Sequence, residues 1–145
     1  MIQFSEAIQS WLTAFLNEAG AVAGTVHVHE NGGLRLAASH NIPQKVQEVV
    51  AWVPNGKGMA GLALERGEPV QTCNLQEDRT GAVKPGAKAV DARAAVALPV
   101  RDQNGAIVAV VGAAFMDDRE IASAELERLE RASASVANLS QGISN

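Results

Sequence analysis

The segment AIVAVVGAAF, Ala106 to Phe115, is apolar at nearly every position. A strand of this kind has no side to turn to water. It belongs at the centre of a sheet with cover on both faces. The chain has 145 residues and is 47% hydrophobic. That suffices for one domain with a sizeable core, and is too short for two ordinary ones. A single domain over residues 1–145 is therefore expected.

The remaining elements supply the cover. Phe4, Ile8, Trp11 and Phe15 recur at helical steps, with Leu12 and Leu16 beside them. This predicts a first helix with a wide apolar stripe, capped by Ser5 and ended by Gly20. AVAGTVHVHE alternates, with Val22, Gly24, Val26 and Val28 on one face and Ala23, Thr25, His27 and His29 on the other. It reads as a strand, paired through a turn at Asn31-Gly32-Gly33 with LRLAAS. Pro43 opens a short helical stretch to Val50. MAGLALER is a helix of about two turns stopped by Gly67, and PVQTCNL a short strand. Residues 76 to 92 form a long polar loop. RAAVALPV and AIVAVVGAAF are strands joined across RDQNG, and Asn104-Gly105 is the strongest hairpin signal in the chain, with positive φ expected at both residues. A final helix is expected from Ser123 to about Ser140. Leu129, Ala132, Val136, Leu139 and Ile143 step three, four, three, four along it. That is a heptad seam, and with the stripe on the first helix it predicts a homodimer.

Charge and composition narrow the partners. The net charge is −4, so neither nucleic acid nor an anionic membrane is an expected partner. The apolar runs fall short of the roughly 18 residues a membrane span needs. MIQFSEAIQSWL has no basic leader region, so no secretory signal is expected. Cys73 is the one cysteine, which excludes an internal disulfide and a Cys-rich metal site. A cytoplasmic protein is the default.

Gly56, Gly58 and Gly61 in PNGKGMAGLALERGEPV have the spacing G-x-G-x-x-G. A dinucleotide-binding turn needs a strand directly before it, a longer helix after it, and a parallel strand next. Here Pro54-Asn55 precedes the glycines, the helix is short, and antiparallel hairpins follow. The simpler reading is a tight turn at Gly56 and Gly58, with Gly61 letting the short helix pack closely.

NGKGMAGLALERGEPVQTCNLQED, then ARAAVALPVRDQNGAIVAVVGAAF and a helix opening at SAEL, resemble a GAF domain over nearly the whole chain. The resemblance implies an α+β fold, GAF/PAS-like. A central antiparallel β-sheet would carry the N- and C-terminal helices on one face and a ligand pocket on the other. It also implies a sensory or regulatory domain that binds a small molecule of unknown identity and signals through a helix-mediated dimer, to a signalling protein partner.

Carrying over the contacts of cyclic-nucleotide-binding GAF domains places candidate ligand contacts on Thr25, Ser39, His40, Met59, Ala60, Ala92 and Gly112. Gly112 stands where that group has an acidic residue, and the Asn-Lys-Phe-Asp-Glu pattern is absent. The polar parity of the first strand adds His27 to the set. The other reading of these residues is turn and core packing. Together they suggest a modest polar or anionic ligand held at the amino end of the short helix.

Three histidines, one cysteine and scattered carboxylates form no catalytic signature, so the expectation is a protein that is not an enzyme. His27, His29 and His40 lack a carboxylate at fixed spacing, and no metal is expected. Cys73 is a small buried hydrophobe or a redox candidate. Free methionine sulfoxide reductases of the family carry several cysteines, and bilin-binding members often pair theirs with histidine. Cys73 is alone and is followed by Asn74. A Cys73-based redox sensor or small redox enzyme, and a dimerisation module with no ligand, are the rival readings.

Overall fold

The computed structural model describes residues 5–72, 94–116 and 121–143. Helix α1 (Glu6–Ala19) starts where the Ser5 hydroxyl accepts the Ile8 N–H at 3.3 Å, and ends at Gly20. Its stripe of Ile8, Leu12, Phe15 and Leu16 is buried. Strands β1 (Ala23–Glu30), β2 (Gly33–His40), β3 (Trp52–Pro54), β4 (Val70–Thr72), β5 (Ala94–Arg101) and β6 (Ile107–Phe115) form one sheet. Its order is β3-β2-β1-β6-β5-β4, with every pair antiparallel. The fold is thus α+β, as the resemblance implied, and β6 lies inside the sheet between β1 and β5. Its odd positions, Ala109, Val111, Ala113 and Phe115, join the core under α1, α4 (Ser123–Ser133) and α5 (Val136–Ile143). Val110 faces the other way, into a second cluster with Leu34, Val53 and Leu64 under α3 (Gly58–Arg66). Helix α2 (Gln44–Val49) precedes β3.

The two Asn-Gly pairs exchange the roles expected of them. Asn31 and Gly32 take φ of 48° and 79° between paired Glu30 and Gly33, a two-residue loop with both residues left-handed. At the other pair only Gly105 is left-handed, with φ of 84°. Asp102 causes the difference. Its carboxylate accepts the N–H groups of Asn104 and Ala106 at 2.8 and 3.1 Å, and its carbonyl accepts Gly105 N–H at 3.1 Å. This closes a three-residue loop with a glycine bulge instead of a two-residue turn.

The expected single final helix is two helices. The hydroxyls of Ser133 and Ser135 donate to the carbonyls of Glu130 and Ala132, competing with the helical ladder. The Trp11 indole, stacked on Phe15, donates to Ser135 Oγ at 2.8 Å and fixes the break against α1. The heptad seam is used within the chain. Leu129 and Val136 are buried and Leu139 packs against the same core, while Ala132 is exposed. The side chain of Ile143 lies outside the described residues. Leu129 and Val136 therefore give no area to a homodimer.

The glycine run before α3 is packing. Gly56 and Gly58 have φ of 84° and 66°. Gly56 N–H donates to Gly61 O at 2.9 Å, and Gly61 N–H to Lys57 O at 3.0 Å. A Cβ on Gly61 would fall 2.6 Å from Pro54 O, so only glycine lets α3 lie this close to the end of β3. At the far end of α3, the Arg101 guanidinium donates to Gly67 O at 2.9 Å and to Gly105 O at 2.7 Å.

Three stability changes are expected. Gly61→Ala should cost about 1–3 kcal/mol by overpacking, and Gly61→Asn no less. Gly105→Val should cost about 1 kcal/mol or more through the left-handed penalty alone, because a Cβ there meets nothing within 4 Å. Gly105→Asn should recover part of that loss. Urea unfolding measures all four, and equal behaviour of Asn at the two sites would contradict this division. Val136→Glu places an unpaired carboxylate in the core and should unfold the chain, so an unchanged melting temperature would show that α5 does not pack as described.

Candidate functional site

The face of the sheet turned away from α1 is paved with small side chains. Thr25, Gly112 and Ala97 stand in register across β1, β6 and β5, and Ala23, Ala114 and Ala95 form the next row. Cross-strand neighbours share a face, so these rows leave a depression instead of filling it. Gly112 contributes most, since a Cβ there would sit 2.9 Å from Thr25 Oγ1. Over the depression lie Val46 and Val50 from α2, Val53 from β3, and Met59 and Ala60 from α3. The resulting cavity, partly open to solvent, measures about 150 Å³.

His27 joins floor to roof. It is buried, and its Nε2 lies 2.8 Å from Val50 O at the carboxyl end of α2. A carbonyl only accepts, so Nε2 carries the proton and donates. The bond satisfies a carbonyl that the end of α2 leaves over and anchors this helix to β1. His29 is similarly engaged, with Nδ1 at 2.9 Å from Ile107 O. Among the described residues no group of three His, Cys, Asp or Glu side chains is placed to hold a metal ion.

Of the expected contacts, Thr25, His27, Met59, Ala60 and Gly112 line the cavity. Ser39 and His40 do not. Ser39 pairs with Thr25 in register, but it borders a separate groove beside α1. There the Gln9 amide accepts Ser39 N–H at 3.2 Å and donates to Ser39 O at 2.6 Å. Gln9 takes the place of a neighbouring strand, because β3 pairs only with Gly33 to Arg35. Ala92 and Cys73 lie outside the described residues.

Sequence reasoning missed most of the wall: Val46, Val50, Val53, Ala95, Ala97 and the rim cation Lys57. Alanines and valines carry no chemical signal, and their convergence depends on α2 and β3 folding over the sheet. Lys57 precedes Gly58 within the glycine run, and its place beside Met59 was the one legible clue.

A GAF domain family model matches residues 3–139. No curated protein matches the chain by sequence. Among solved structures, a type II free methionine-R-sulfoxide reductase from Thermoplasma acidophilum is 16% identical, with a TM-score of 0.72 over 94% of this chain and 91% of that one. A GAF domain/HD domain protein from Geobacter sulfurreducens is 12% identical, with a TM-score of 0.74 over 96% and 92%. An NreA protein from Staphylococcus aureus, mutated in its nitrate binding site, is 16% identical, with a TM-score of 0.66 over 86% and 98%.

These likenesses correct one expectation. The lack of a familiar catalytic signature suggested a protein that is not an enzyme, yet the same fold carries the Thermoplasma reductase. Searching for known motifs excludes known motifs only, and a fold does not choose between catalysis and binding. Among the described residues no helix is long and apolar enough to cross a membrane. With its model match across most of its length, the chain belongs to the GAF domain family.

Proposed function

We propose that this chain is a sensory GAF domain that holds a small molecule in the cavity between the sheet and the α2–α3 layer. The observation that carries the reading is the cavity itself. It is roofed in part by α2, β3 and α3 over a floor of Thr25, Gly112 and alanines. Default ligand sites are concave, mostly apolar, and carry a few converging polar groups, and Thr25 and His27 are such groups. A nitrate binding site in a protein of similar fold supports the general role of a small-molecule receptor. The output would pass through the sheet to α1, α4 and α5, which pack on β1, β5 and β6, the strands that floor the cavity. A homodimer through that layer is the finer expectation. The Leu129 and Val136 positions of its seam are buried within one chain and leave no area for a partner, and light scattering measures whether the dimer forms.

The test is native mass spectrometry of the protein purified from cells, beside Ala60→Phe. Ala60 is partly exposed on α3 and lines the cavity, so a phenyl ring there fills the space with little burden on the core. A stoichiometric small molecule in the parent protein, reduced at least tenfold in the variant, is the expected result. A molecule retained in full by Ala60→Phe would place binding elsewhere. Turnover of free methionine sulfoxide that is lost in Cys73→Ser would replace the sensor reading with an enzyme.

A further inference from the structure

We infer that the cavity selects an uncharged, largely apolar molecule about the size of a benzene ring, carrying one hydrogen-bonding group for Thr25. This rests on the cavity being the ligand site, and it departs from the polar or anionic ligand that the sequence suggested.

Three observations converge. First, the wall is overwhelmingly carbon, built by Val46, Val50, Val53, Met59 and alanines. An anion moved into such a wall loses its hydration and gains little in return. Lys57, the cation of the lining, is exposed, so its ammonium is already solvated. Second, the polar groups are few. The protonated Nε2 of His27 is engaged by Val50 O. The Thr25 hydroxyl has no hydrogen-bond partner among the described residues and stands beside the bare Cα of Gly112. A hydroxyl both donates and accepts, so it serves a ligand with a single phenol-like, alcohol-like or carbonyl group. Third, the volume of about 150 Å³ is close to that of apolar cavities known to admit benzene.

The probes are phenol, benzene and sodium nitrate, each titrated into the protein and followed by methyl proton–carbon NMR. Phenol and benzene should shift the methyl signals of Val46, Val50 and Val53 saturably, and nitrate should not up to tens of millimolar. Thr25→Val keeps the β-branched shape on β1. It should weaken phenol about fivefold, the loss of one net hydrogen bond, and leave benzene within twofold, which also shows that the variant is folded. Equal affinity of parent and variant for phenol would overturn the assignment of Thr25. Saturable nitrate binding with neither aromatic probe bound would overturn the ligand class. If Ala60→Phe then abolished that nitrate binding, the cavity would remain the ligand site. No binding by any probe, and no co-purified molecule lost from Ala60→Phe, would end both readings.

Discussion

Strand β6 has no face it can show to water. Val110 and Val111 are consecutive, point to opposite sides and are both fully buried. The need to cover both sides sets the rest of the architecture. One side takes three helices: α1 with its long apolar stripe, and α4 and α5. The other takes α3, which is only nine residues long, with α2 and β3 beside it. The covers are unequal, and so are the residues beneath them. Under α1 the sheet presents Val96, Leu98, Val111 and Phe115, while across from them stand Thr25, Gly112, Ala95, Ala97 and Ala114. The cavity is what remains when a short roof is set over small side chains.

Such a space would collapse if the roof could settle. Three fixed points oppose that. The His27–Val50 hydrogen bond holds the end of α2 to β1. The glycine run locks the start of α3 to the end of β3, at a distance no other residue allows. Arg101 ties the far end of α3 to the β5–β6 loop. Each tie ends on a backbone carbonyl, and apart from His27 none is made by a side chain that lines the cavity. The rest of the lining is then free to suit a ligand while the frame stays constant.

Much of the frame was legible because local signals agreed. The cap at Ser5, the stop signals at Gly20 and Gly67, the alternation of β1 and the packing role of Gly61 all follow from single residues and their spacing. The misreadings share a cause: a second residue nearby changed the outcome. Asp102 turned Asn104-Gly105 into a three-residue loop, and Ser133 and Ser135 broke the final helix. In β2 an extra residue, Ala37, enters the pairing between Val26 and His27 and places Ala37 and Ala38 together on the α1 side. Strand β3 is three residues long and exposes Trp52, so its pattern was too brief to read as a strand.

The site was legible in a skewed way. Reading a sequence for function selects residues with chemistry, so Thr25, His27, Ser39 and His40 stood out and pointed toward a polar ligand. Folding separates them. Thr25 and His27 face the cavity, while Ser39 is held at the strand edge by Gln9. What surrounds Thr25 in three dimensions is carbon from five different elements. One hydroxyl in a carbon wall recognises a different molecule from one hydroxyl among histidines, because the wall decides whether charge can enter and the hydroxyl decides only how a neutral guest is turned. The chemistry of this site is therefore set by residues that have no chemistry of their own.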